Sequence, residues 1–148
     1  MNSHRYLRAF LAGIFVPTLI LPCLLAFFIV VRLALEAPYP IERGLVFPMA
    51  LVPAVWGLWN MLWEWSRPAT RLPLGVHGAI LPLLLLPAGT LIATHLGVLN
   101  LGVSGAVWFQ EIHIPYWLIA ACFCAALAAY YLVWKYMVGF LNRMLGIA

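Results

Sequence analysis

Charged residues are so sparse in this chain that four long stretches contain none: Ala9 to Val31, Gly44 to Trp63, Leu72 to Gln110 and Ile114 to Trp134. Crossing roughly 30 Å of hydrocarbon takes about 20 residues of helix. Three of the stretches have that length, and Leu72 to Gln110 exceeds it and must contain a turn. The chain is therefore expected to be an all-α membrane protein, one integral membrane domain over residues 1–148. Four transmembrane helices, at about residues 8–32, 44–65, 72–98 and 115–138, form an antiparallel bundle. Composition agrees: with 66% hydrophobic and 8% charged residues, there is too little polar surface to cover a soluble globule.

The first apolar stretch follows Arg5 and Arg8, as in a signal peptide, but exceeds the roughly 7–15 apolar residues of such a segment and is read as retained. Arg5, Arg8, Arg67, Arg71, Lys135 and Arg143 fall on the side of the termini, and Arg32 and Arg43 opposite. That asymmetry puts both termini in the cytoplasm, with a bacterial inner membrane as the expected location and the lipid bilayer as the surrounding partner. The same scattering at helix ends, with no basic patch, excludes nucleic acid as a partner. The first outer loop, Leu33 to Arg43, is expected to be short and stiffened by Pro38 and Pro40.

Within this frame one pattern recurs: a glycine, a proline four residues on, and a second proline five further on. It runs Gly13, Pro17, Pro22, then Gly44, Pro48, Pro53, then Gly78, Pro82, Pro87, and reads as a weak internal repeat. A proline inside a helix lacks an N–H and crowds the carbonyl four residues earlier. A glycine at that earlier position permits a bend and a close helix approach. Measured along the helices at about 1.5 Å per residue, the six prolines share one central slab. The expectation is three helices kinked near the bilayer midplane; a small cavity lined by Gly13, Pro17, Pro22, Pro48, Pro53, Gly78, Pro82 and Pro87 is one reading of the bends, and the other is that proline and glycine are simply frequent in membrane helices.

Trp56, Trp59 and Trp63 form one stripe at the end of the second helix, with Asn60 and Glu64 beside it. Tryptophans in such a place mark an interfacial belt, where these five residues would meet lipid headgroups or a partner, and where Arg67 or Arg71 would neutralise Glu64. Gly89, Ala93 and Gly97 in the third helix, and Ala121, Ala125 and Ala129 in the fourth, are spaced for tight helix packing. Cys23, Cys122 and Cys124 contain no Cys-x-x-Cys and read as small apolar packing residues.

No cofactor is expected. His77 and His95 would stand about 27 Å apart along one helix, too far for a single haem. His95, Glu111 and His113 are weak metal candidates at the outer end, and their spacing matches no zinc signature. Glu36 and Glu42 join them as the acids and bases of a hypothetical outer active site that lacks a nucleophile. Function therefore reads first as a small non-catalytic multi-pass protein that packs with itself or as an accessory subunit of a larger membrane complex. The alternative is a small transporter or channel-like carrier for a lipid or small solute.

Overall fold

The computed structural model describes residues 4–36, 38–39 and 41–147. Four helices account for most of it: α1 Arg5–Ala34, α2 Glu42–Thr70, α3 Leu74–His95 and α4 Tyr116–Met144. Each is long and apolar enough to cross a membrane. They continue through Pro17, Pro22, Pro53, Pro82 and Pro87 without a break. Of the expected loop prolines, Pro38 is described and Pro40 lies outside the described residues.

α2 runs past the expected end at Trp65 to Thr70, through Pro68. The hydroxyls of Ser66 and Thr70 donate to the carbonyls of Trp63 and Ser66, at 3.3 and 3.1 Å, so carbonyls of the final turns have partners. Arg71 then adopts a left-handed conformation, φ 51°, and ends the helix.

Between α3 and α4 the expected irregular loop is a three-stranded antiparallel meander: β1 Leu99–Leu101, β2 Gly105–Trp108 and β3 Ile112–Pro115. Leu99 pairs with Trp108, and Ala106 with both Leu101 and Ile114. Strands of three and four residues are too short to show alternation, and Gly102, Ser104 and Gly105 disguise them as loop. Val98, Leu99 and Ala106 are buried and seat the sheet on the ends of the helices.

α1 packs chiefly on α2, and α3 on α4. The two hairpins meet around a core of Val16, Trp56, Leu81, Trp134 and Val138. The repeat glycines stand at three of the closest approaches. A Cβ at Gly13 would lie 2.6 Å from the Trp56 carbonyl oxygen, one at Gly44 would lie 2.7 Å from the Phe109 ring, and one at Gly78 would overlap the Trp134 side chain. Gly13 thus joins α1 to α2, Gly44 joins α2 to the meander, and Gly78 joins α3 to α4.

Two other glycines end helices. Gly97 and Gly146 have φ of 68° and 65°. In each case the next residue donates back across the end of the helix, Val98 to the Ala93 carbonyl and Ile147 to that of Asn142. This closure favours glycine because a side chain is strained at positive φ. Gly97 therefore terminates α3 and does not extend a packing seam.

Candidate functional site

The tryptophan stripe of α2 faces inward. Trp56 and Trp63 are each 5% exposed, Asn60 is fully buried, and Glu64 is 5% exposed. The expected headgroup contact is corrected accordingly: α2 turns this face to the other helices, and Trp65, at 68% exposure, is the tryptophan left at the surface. The reason lies in the neighbours of the stripe. Gly57 and Gly13 allow α1 and α2 to approach backbone to backbone, which rolls the Trp56–Asn60–Trp63 face into the bundle.

Asn60 sits at the junction of three helices. Its amide donates to the Ala9 carbonyl of α1 at 2.7 Å and to the Asn142 side-chain oxygen of α4 at 2.8 Å. Asn142, also fully buried, returns a bond to the Asn60 oxygen at 3.2 Å. An apolar interior gives a buried amide no water, so this reciprocal pair fixes which turns of α2 and α4 face each other. Sequence reasoning missed Asn142. It is the one asparagine in the last helix, and two amides near the same ends of neighbouring helices were the available signal.

One turn further along, Glu64 forms an ion pair with Arg5, and its second oxygen lies 4.0 Å from Arg67. Arg71, expected as a partner, is not one. Arg5 is 43% exposed at its side chain against 3% for Glu64, so the acid is held inside while the base reaches solvent. The helix-ending turn of α4 completes this end. Arg8 donates to the Leu145 carbonyl at 2.8 Å and Arg67 to that of Ile147 at 3.2 Å. Ile147 itself packs on Ala9 and Ala12.

His77, 5% exposed, belongs to the same belt. Its Nε2 lies 3.1 Å from the Trp59 carbonyl, which can only accept, so Nε2 carries the proton. The Trp59 indole donates to the His77 carbonyl at 2.9 Å, and the two rings stack at 4.6 Å. Trp63 donates to the Leu72 carbonyl and lies under the Arg67 guanidinium, 5.1 Å from its ring centre. These groups are engaged with one another, an arrangement suited to positioning helices.

Beyond the belt, α1, α2 and α4 diverge around a cleft of about 240 Å³ with almost wholly apolar walls. Pro17, Leu21, Val52, Trp56, Tyr130 and Val133 are among its lining residues. Of the residues proposed for a midplane cavity, Pro17 alone lines it. Gly13, Gly78 and Pro82 are buried elsewhere, Pro48 and Pro53 are half-buried, and Pro22 and Pro87 are exposed.

The remaining candidates are dispersed. Gly89 has open space where a side chain would stand, and Ala93 is half-buried. Ala121, Ala125 and Ala129 lie on the exposed surface of α4, as do Cys122 and Cys124, while Cys23 is exposed on α1. His95 is exposed, Glu111 accepts a 2.9 Å bond from the Tyr39 hydroxyl, and His113 lies 3.2 Å from Ser104. Among the described residues no three His, Cys, Asp or Glu side chains gather to hold a metal ion. The carboxylate of Glu111 holds the Tyr39 phenol above its ordinary pKa, chiefly through their hydrogen bond. Comparison with protein-family models, with curated proteins and with solved structures finds no match to this chain.

Proposed function

We propose that the chain is a small non-catalytic membrane protein that packs with itself, or as an accessory subunit of a larger membrane complex, through the free face of α4. In this reading the four helices cross the membrane, the proline pairs bend the first three, and both termini lie in the cytoplasm of a bacterial cell. One observation supports it above the others: from Tyr116 to Val133, α4 has no buried residue. Small side chains elsewhere admit a neighbour within the chain, as Gly13 and Gly78 do. Ala121 and Ala125 are exposed small residues of one row, whose third member, Ala129, borders the cleft between α1, α2 and α4, and in lipid a small-residue row favours helix association through close van der Waals contact.

The test is the mass of the detergent-purified protein by light scattering, for the wild type and for Ala125→Trp. A defined oligomer or complex is expected, and the added indole should shift at least half of it to the single chain. A wild type that runs as a lone chain, or an oligomer indifferent to Ala125→Trp, contradicts the reading.

A second reading has its own observation, the apolar cleft beside Pro17, Trp56 and Tyr130. A volume of about 240 Å³ with apolar walls suits part of an acyl chain or a small apolar solute, as a carrier would need. Val52→Trp would fill it. Loss of a co-purifying lipid or solute from that variant, seen by native mass spectrometry, is the outcome that favours a carrier over a packing subunit.

A further inference from the structure

At the end of the molecule away from the termini, a recess of about 430 Å³ opens between the start of α2, the end of α3 and the β2–β3 turn. Its walls are Arg43, Leu96, Gly97, Val98, Phe109 and Gln110. We propose that this recess binds a phosphate group, with the Arg43 guanidinium as its anchor and the Gln110 amide as a second donor.

Three observations carry the proposal. The first is Arg43. Among the described residues it forms no ion pair, whereas the Glu111 carboxylate of the same end is taken by Tyr39. The adjacent acid, Glu42, is not among the lining residues. A guanidinium matches the oxygens of a phosphate with two parallel donors, and the recess leaves it room to do so.

The second is the turn that forms the opposite wall. Phe109 and Gln110 have φ of 53° and 64°, and the Glu111 N–H closes the turn on the Trp108 carbonyl at 3.2 Å. Two successive residues at positive φ are the place for Asn-Gly or Gly-Gly. A phenylalanine and a glutamine there are strained, and such strain collects at ligand-binding positions. The turn is held on both flanks: the Phe109 N–H donates to the Val98 carbonyl at 2.8 Å, and its ring stacks on Tyr39 at 5.8 Å. The strained conformation puts Gln110 on the wall of the recess.

The third is what lies beyond Phe109. A second hollow, about 210 Å³ and apolar, is lined by Ile41, Trp108, Phe109, Ile112 and Ile114. Phe109 is common to both. A phosphate site and an apolar hollow sharing one wall suit a molecule with an anionic head and an apolar chain. Arg43 stands next to Gly44, where the apolar stretch of α2 begins, the depth of lipid phosphates in the membrane reading. The proposal rests on that reading for the lipid as source of the phosphate, but not on association through α4.

The experiment is a thermal-stability titration of the detergent-purified full chain. The probes are dioctanoyl-phosphatidylglycerol, inorganic phosphate, and dioctanoylglycerol, which lacks the phosphate. A ligand that binds only the folded state raises the unfolding temperature saturably. The phospholipid should do so, and Arg43→Gln should weaken its half-saturation by about tenfold, with Arg43→Lys between, since lysine keeps the charge but not the fork. Gln110→Ala should weaken it less. Arg43 is exposed, so circular dichroism of the variants should match the wild type. An equal, Arg43-dependent response to inorganic phosphate would keep the phosphate site and identify the free anion as its ligand. An equal response to dioctanoylglycerol, no saturable response to any probe, or indifference to Arg43→Gln would overturn the proposal.

Discussion

Gly78→Leu is expected to be the most damaging single substitution in the helices. A Cβ at this position would overlap the Cβ and ring of Trp134, which is itself fully buried between Trp56 and His77. The indole cannot withdraw without displacing those rings, so α3 and α4 must separate. Overpacking of this kind costs about 1–3 kcal/mol and occasionally more, and the rigid neighbour places this case at the upper end. Gly89→Leu supplies the control in the same helix, because no atom stands within 4 Å of its added Cβ. It should change stability by no more than about 0.5 kcal/mol, as surface substitutions do. Leu84→Ile, at a half-exposed site, should behave like the control. Thermal unfolding in one detergent compares the three. Equal tolerance of Gly78→Leu and Gly89→Leu would remove the glycine contacts from the account.

Asn60→Leu should be nearly as costly, for a different reason. It removes both donors that bind α1 and α4 and leaves the fully buried Asn142 amide without its partner. An orphaned buried polar group costs about 1–3 kcal/mol. Hydrogen bonds between membrane helices couple by only about 0.6 kcal/mol on average, so most of the expected loss is the stranded amide. That distinction makes a clear prediction for the pair. Asn60→Leu with Asn142→Leu should be more stable than the sum of the two single losses implies, by about 1 kcal/mol. Strict additivity in the cycle would mean that the amides do not bond each other.

The four helices were legible because membrane-length apolar runs bounded by charges leave few alternatives. The glycines of the repeat were legible for a related reason: a small residue beside a proline points to close approach, and Gly13, Gly44 and Gly78 all stand at such approaches. The face of the tryptophan stripe was not. A tryptophan near a helix end serves equally in an interfacial belt or in a core, and the choice depends on Gly57 opposite Gly13, a contact between different helices. Of the two bases at Glu64, Arg67 was legible because it lies one turn away in sequence, whereas Arg5 was missed because it reaches the acid from α1. Gly97 reads as part of a seam at four-residue spacing, and only the reversal of the chain into the meander reveals it as the end of α3.

The central proposal is that the four helices, each long and apolar enough to do so, cross a bilayer with both termini on one side. The most direct measurement is the accessibility of single cysteines to a membrane-impermeant maleimide in intact cells, after Cys23, Cys122 and Cys124 are replaced by alanine. Val103→Cys lies at the fully exposed tip of the meander and Met144→Cys at the exposed last turn of α4. The account predicts labelling of Val103→Cys in intact cells, and of Met144→Cys only after permeabilisation. Labelling of both from the same side would contradict it.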